Sequence, residues 1–248
     1  MAQPLPRLRI IAGPNGSGKT NLATSLRRLI SFGVYLNPDE FEKSLKQNNS
    51  ISFTSFSKEI TTKKLETHFL NCPQLEKYKN HAAFIRSLKI TKRSLTVPHE
   101  HINSYVAASL CDYLRKEFIK HKVSFTFETV MSHKSKLVTL KDAKTAGYRT
   151  YLYFVSTDRV DINIARIEQR IKEGGHPVSE DKVKRRFKRS MKLLKQAIKL
   201  SDRAFIFDNS KERQIWFAEI TEGKAIDYKT DDIPIWFNSY VLKSTQSL

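Results

Sequence analysis

The chain has 248 residues, with 44 Lys or Arg against 25 Asp or Glu, which gives a net charge of +19 at pH 7. A hydrophobic fraction of 40% excludes a disordered chain, and the length suits one domain. Cys72 and Cys111 form no metal-binding or disulfide pattern, and no apolar run approaches the ~18 residues of a membrane helix.

The N-terminal segment predicts a strand, a phosphate-binding loop and a helix. Residues 7–12 are apolar enough for a short strand, and residues 13–20 read GPNGSGKT, a complete G-x-x-x-x-G-K-[ST] motif. Lys19 would reach the β- and γ-phosphates and Thr20 would hold Mg²⁺, while a helix over 21–30 would point its positive end at the phosphates. The sequence therefore predicts binding of a nucleoside triphosphate, with the cofactor-binding residues Gly13, Pro14, Asn15, Gly16, Ser17, Gly18, Lys19 and Thr20.

A second short strand over 33–36 runs into Asn37-Pro38-Asp39, where a helix can begin. The Asp39 carboxylate would either accept the proton of a substrate hydroxyl or cap that helix, and the local pattern favours neither. Residues 42–100 are polar and basic, with scattered apolar positions that suit short helices. We expect an insertion packed over one edge of the core, or a mobile lid, rather than a separate domain.

The rest of the chain alternates helices and strands. Helices are predicted over 102–121, 134–146, 158–173 and 180–200, and strands over 123–127, 148–155, 204–207, 215–220 and 225–228. Gly174 and Gly175 close the third of these helices, with His176 as a turn residue. This order predicts an α/β fold of the P-loop NTPase type, a three-layer, mostly parallel, doubly wound sheet in a single domain, 1–248, with a mainly helical insertion.

Polar residues at the strand ends complete a candidate site, because ligands in open α/β sheets gather at the carboxyl ends of the strands. Glu128 closes the strand over 123–127 and would hold Mg²⁺ through water or bind substrate hydroxyls; the alternative is an exposed loop acid. Thr129 offers a hydroxyl to a phosphate or sugar. The start of the chain leaves no room for a signal peptide, so we expect a cytoplasmic location.

Arginines on two helices could stabilise the charge of a transferring phosphoryl group. Arg166 and Arg170 are four residues apart and share one helix face. Three more, Arg185, Arg186 and Arg189, open the next helix. The alternative is a solvated basic face, which is the usual role of such charge runs.

The motifs together resemble those of the zeta-toxin family of P-loop kinases. They are GPNGSGKT (13–20), NPDEF (37–41), FETVMS (127–132), KTAGYRTYLYFV (144–155), RIEQRIKEGGHPV (166–178), RRFKRS (185–190) and FDNS (207–210). The resemblance runs in order from residue 7 to about 210, leaves 42–100 unmatched, and departs at Ser179, where members commonly have proline. It implies ATP-dependent phosphorylation of a small-molecule hydroxyl, such as that of UDP-N-acetylglucosamine, by a toxin paired with a separate antitoxin.

The same resemblance assigns roles to residues of this chain. Lys19 and Thr20 would bind phosphates and Mg²⁺, and Asp39 would be the catalytic base. Glu128 matches the acidic residue on the substrate and metal side. Arg170 and Arg186 are the best matches to the arginines that bind the transferring phosphate, with Arg166, Arg185 and Arg189 as alternatives.

Two other function classes stay open. The charge of +19 would suit a polynucleotide kinase or another nucleic-acid-directed ATPase. We favour a small-molecule kinase because the basic residues are widely spread and no RNP-like, zinc-finger or helix-turn-helix signature accompanies them. The third class is a switch protein that binds ATP and phosphorylates nothing.

Overall fold

The computed structural model describes residues 4–52, 62–72, 75–76, 81–91, 94–174 and 177–243. Its strands are β1 (Arg7–Ala12), β2 (Val34–Leu36), β3 (Ser50–Ser52), β4 (Lys89–Thr91), β5 (Ser94–Thr96), β6 (Phe125–Thr129), β7 (Arg149–Ser156), β8 (Arg203–Asp208), β9 (Ile215–Thr221) and β10 (Ala225–Tyr228). Its helices are α1 (Lys19–Arg27), α2 (Pro38–Asn48), α3 (Thr62–Leu70), α4 (His81–Ser87), α5 (Ser104–Lys120), α6 (Ser135–Thr145), α7 (Val160–Lys172), α8 (Glu180–Leu200) and α9 (Ile235–Phe237). A 3₁₀ turn covers His99–His101 and a π-helical turn covers Asn238–Leu242.

The chain forms two compact units, the first made of 1–33 with 124–248 and the second of 34–123. The predicted insertion at about 42–100 falls within the second unit, and the organisation as a single domain stays a prediction. The predicted turn residues Gly175 and His176 lie outside the described residues.

The first unit contains the mostly parallel sheet that the alternating pattern predicts. Its strands follow the order β10-β9-β8-β7-β1-β6. β1 pairs in parallel with β6 and β7, and β7 pairs in parallel with β8, whereas β9 and β10 extend the sheet in antiparallel fashion. The central strands are buried, so their apolar runs are continuous rather than alternating. Because β1, β6, β7 and β8 point the same way, their carboxyl ends meet at one edge of the sheet.

The longest helix of the first unit, α8, has the apolar periodicity that predicts a helix. α8 spans Glu180–Leu200, the bounds that the sequence predicts. Its apolar side chains recur at helical spacing and are buried, among them Phe187, Met191 and Leu194. Acidic residues in its first turn and Lys199 in its last complement the helix dipole.

The second unit combines helices with a small antiparallel sheet of order β3-β5-β4. The sequence predicts short helices in this region but not these three strands, each of three residues. α2 packs against α5, and α3 meets α5 where His68 Nε2 lies 3.1 Å from the Ser109 carbonyl oxygen. Burial, with a smaller contribution from Lys116, lowers the pKa of His68, which favours a neutral ring at this contact.

Candidate active site

The loop at 13–20 follows β1 and runs into the first turn of α1, as the motif predicts. Gly16 and Gly18 have φ angles of +75° and +99°, in the left-handed region. A Cβ at Gly16 would collide with the Asn163 carbonyl oxygen, and one at Gly18 would collide with Asn209 Nδ2. These two positions therefore require glycine both for the backbone angle and for the close approach of neighbouring elements.

Two asparagine side chains hold the loop from outside its own strand and helix. Asn163 on α7 is fully buried and donates from Nδ2 to the Asn15 carbonyl oxygen at 2.6 Å. Its Oδ1 accepts a hydrogen bond from the Thr157 hydroxyl. Asn209, directly after β8, donates from Nδ2 to the Ser17 carbonyl oxygen at 2.9 Å. We call Asn163 and Asn209 the asparagine clamp.

The segment after β8 is itself well fixed, which positions the second half of the clamp. The backbone N–H of Asn209 donates to the Ser156 carbonyl oxygen at 2.8 Å. The Ser210 hydroxyl donates to Asp208 at 2.7 Å, and Trp236 Nε1 donates to the same carboxylate at 2.8 Å. The C-terminal helix α9 therefore contributes directly to the geometry beside the loop.

The loop presents polar groups that suit a phosphate chain. Among the described residues, the N–H groups of Gly16 and Gly18 have no hydrogen-bond acceptor. Within the same part of the chain, two buried groups that can donate, Ser17 Oγ and Gln214 Nε2, have no partner either. Leaving such atoms unpaired costs ~1–3 kcal/mol each. A bound triphosphate would recover part of that free energy, so the residues present fit the predicted ligand.

Lys19 and Thr20 stand in the first turn of α1. Lys19 Nζ donates to the Pro14 carbonyl oxygen at 2.8 Å, which folds the ammonium group back over the loop. Thr20 is exposed. Ammonium and hydroxyl groups at these two positions are the ones that would contact the phosphates and a Mg²⁺ ion.

Glu128 and Thr129 are brought beside the loop by strand pairing. In the register of β6 with β1, Glu128 stands opposite Ile11 and Thr129 opposite Ala12. The Gly13 N–H donates to the Thr129 carbonyl oxygen at 3.3 Å. The Thr129 hydroxyl oxygen accepts from the Met131 N–H at 3.1 Å, which leaves its proton available to a ligand.

Met131, just beyond Thr129, is a residue that sequence reasoning missed. It has a φ of +54° and is completely buried. A left-handed backbone is uncommon at a residue other than glycine. Met131 follows the last residue of β6, Thr129, by two positions.

The arginines divide by role. Arg166 donates to the Asn209 carbonyl oxygen at 2.9 Å, so in this structure it fixes the segment that carries the asparagine clamp. Arg170 is exposed on α7 and Arg186 is half-buried on α8, and these two helices pack together. Arg185 and Arg189 are exposed.

Asp39 belongs to the second unit. It is exposed in the first turn of α2, and its N–H donates to the Asn37 side-chain oxygen at 2.9 Å. Asn37 is therefore the N-cap of α2, with Pro38 at the first helical position. The capping role considered for Asp39 belongs to Asn37, which leaves the Asp39 carboxylate for other chemistry.

The clamp leads to a first testable prediction. Asn163→Ala removes the donor to the Asn15 carbonyl oxygen and one of the two acceptors of the Thr157 hydroxyl, which keeps the Arg159 carbonyl oxygen. We expect the free energy of unfolding to fall by ~1–3 kcal/mol and the affinity for a nucleoside triphosphate to fall about tenfold. Chemical denaturation and titration calorimetry measure the two effects.

Two variants serve as controls for this prediction. Asn163→Asp keeps the side-chain shape but turns an oxygen toward the Asn15 carbonyl, so it should be at least as damaging as Asn163→Ala. Glu168→Ala, at an exposed position of the same helix, should leave both quantities unchanged. Nucleotide affinity unaltered in Asn163→Ala would show that the clamp does not shape the loop.

The chain is similar to known proteins both in sequence and in fold. The model of a family described as Zeta toxin matches residues 96–221, just over half of the chain. The matched segment includes Glu128, Arg170 and Arg186 but begins after the loop and Asp39. An uncharacterized protein of Haemophilus influenzae is 41% identical over 69 residues, which cover 28% of this chain and 49% of that protein.

Solved structures share the fold. The AvrRxo1-ORF1:AvrRxo1-ORF2 complex with sulphate ions matches at a TM-score of 0.50 and 17% identity, over 91% of this chain and 61% of that one. The same complex with ATP matches at 0.50 and 16% identity, with the same coverage. A structure from the PezAT toxin-antitoxin system of Streptococcus pneumoniae matches at 0.50 and 12% identity, over 99% of this chain and 82% of that one. The chain thus spans about half to two-thirds of the length of the first relatives that it matches.

Proposed function

Because the chain belongs to the zeta toxin family, we propose that it is a phosphotransferase that moves the γ-phosphate of ATP to an alcohol group. The observation that carries the proposal is the clamped loop, with its N–H groups at Gly16 and Gly18 and its unpaired polar atoms. The AvrRxo1 complex with ATP, which has the same fold, supports ATP as the donor.

The loop residues would bind and orient the donor. Bound ATP supplies the phosphoryl group, and Mg²⁺ partly neutralises its charge. Lys19 would hold the β- and γ-phosphates, and Thr20 and Glu128 would hold the metal, Glu128 through water. Positioning of this kind is the main source of catalysis in phosphoryl transfer.

The acceptor side of the proposal rests on resemblance and on residue chemistry. Asp39 would accept the proton of the substrate hydroxyl as its oxygen bonds to the γ-phosphorus, while the bond from that phosphorus to the β,γ-bridging oxygen breaks and ADP leaves. Arg170 and Arg186 would stabilise the negative charge that develops on the transferred group. Glu128 and Thr129 would bind the acceptor through its hydroxyls.

We further propose a nucleotide sugar of the UDP-N-acetylglucosamine type as the acceptor, and an antitoxin chain as the partner. The acceptor class follows from the family resemblance. The partner is supported by the PezAT system, whose description names a toxin and an antitoxin. A cytoplasmic location stays a prediction; within the described residues no helix is long and apolar enough to cross a bilayer.

An acceptor screen tests the function. The full chain is incubated with γ-labelled ATP and a panel of nucleotide sugars, with oligonucleotides alongside. We expect label on a nucleotide sugar. Label on oligonucleotide ends alone would replace the proposal with a polynucleotide kinase, and bound ATP without transfer to any acceptor would replace it with a switch protein.

A further inference from the structure

One helix carries basic charge at a higher density than the chain as a whole. α8 carries nine Lys or Arg against two acidic residues, both in its first turn, and so contributes +7 of the net +19. From Lys182 to Leu200 the helix contains no acidic residue at all. The proposed transfer of a phosphoryl group to a small molecule requires only Arg186 of the nine basic residues on α8.

Most of the exposed cations of α8 lie on one face of the helix. At about 100° per residue, six of them fall within an arc of about 120°, directly opposite the arc of buried side chains. All six are exposed: Lys182, Arg185, Lys188, Arg189, Lys192 and Lys199. We call them the α8 cationic stripe. It runs for roughly 25 Å along the helix axis.

The stripe is not neutralised by its own chain. In the ranges that the structure describes, no carboxylate lies within 4.0 Å of any of its six side chains, and the ion pair formed on α8 joins Lys184 to Glu180. Arg185 and Arg189 stand one turn apart, as do Lys188 and Lys192. Like charges at this spacing repel and destabilise a helix, so the isolated protein gains nothing from them.

The chemistry of the stripe identifies the kind of partner. None of the exposed large apolar side chains of the protein lies on α8, whereas protein interfaces rely on aromatic and apolar anchors and are depleted in Lys. The apolar face of α8 is buried in the core, so it cannot insert into a membrane. A phosphate backbone needs only regularly spaced cations.

We propose that the α8 cationic stripe binds the sugar–phosphate backbone of nucleic acid without sequence preference. Five of the six cations lie between Lys182 and Lys192, over about 15 Å of helix axis, and Lys199 follows two turns later. Lys and Arg contact phosphates without reading bases. Arg186, which we assign to phosphoryl transfer, lies outside the stripe and is half-buried. The two roles of α8 are therefore carried by different side chains.

The test measures binding of the full chain to labelled oligouridylate and oligothymidylate by fluorescence anisotropy, without ATP, over roughly 50–200 mM salt. The variant is Lys188→Gln/Lys192→Gln/Lys199→Gln. We expect it to bind at least about tenfold more weakly than the unaltered chain at the lowest salt. The slope of log K against log salt should fall in magnitude by about 2, since each lost contact to a single strand contributes about 0.7.

A triple variant with the same charge provides the matched control. Lys43→Gln/Lys63→Gln/Lys120→Gln removes three exposed lysines from the second unit and should bind as the unaltered chain does. Equal losses in both triple variants would overturn the proposal in favour of diffuse net charge. The proposal is also overturned if the unaltered chain binds neither oligonucleotide. Anionic phospholipid vesicles, measured in parallel, would then show whether the stripe binds a membrane surface instead. Thermal unfolding verifies that both variants fold, and the outcome is independent of the acceptor screen because no transfer is measured.

Discussion

Lys19→Ala is expected to reduce phosphoryl transfer by at least about 10²–10³-fold, the cost of removing one preorganised charge-stabilising donor. The ammonium group is the only cation inside the phosphate-binding loop motif at 13–20, and ATP binding should weaken with it. Fold stability should change by less than about 1 kcal/mol, because Lys19 is only half-buried. Single-turnover transfer from labelled ATP, with thermal unfolding alongside, measures both quantities.

The control for this variant is Arg28→Ala, which removes one positive charge from the exposed C-terminal end of the same helical segment. It should retain transfer at the rate of the unaltered chain. Normal turnover in Lys19→Ala would refute the assignment of the loop as the donor site.

Asp39→Asn is expected to reduce transfer by about 10²–10⁴-fold while ATP affinity stays unchanged. The amide keeps the size of the side chain but cannot accept the proton of the acceptor hydroxyl. Asn37, not Asp39, caps α2, so the variant should fold normally. Turnover and nucleotide affinity, measured separately, distinguish a lost base from a lost binding site.

Glu40→Gln makes the same chemical change at the adjacent position of the first turn of α2 and should leave turnover unaltered. If Asp39→Asn retained full turnover, Asp39 would lose the role of base. In bacteria, arrest of growth by the unaltered chain but not by Asp39→Asn would link toxicity to catalysis.

The local elements were predictable because their signals are local. The strand, loop and helix at the N-terminus follow from a motif in which the glycines permit the backbone conformation and Lys19 supplies a charge for phosphate. The helix α8 follows from apolar periodicity over 21 residues. The fold class, α/β with a mostly parallel sheet, is confirmed.

The features that the sequence did not reveal depend on distant pairs. Asn163 and Asn209 bond to loop carbonyls 148 and 192 residues away in the chain, and no local pattern encodes such a contact. The position of Arg166 on a helix face is visible in the sequence, while its acceptor, the Asn209 carbonyl oxygen, is not. The strands β3, β4 and β5 have three residues each, too few to show an alternating pattern.

The asparagine clamp also bears on the thermodynamics of recognition. Because two buried or well-fixed side chains hold the loop carbonyls in place, the backbone of 13–20 has little conformational freedom left to lose when a ligand arrives. Preorganisation of this kind reduces the ordering cost of association, so more of the interaction energy appears as affinity. Even small oxyanions, which make few contacts, should therefore bind at the N-terminal end of α1, where the loop is already in its binding conformation.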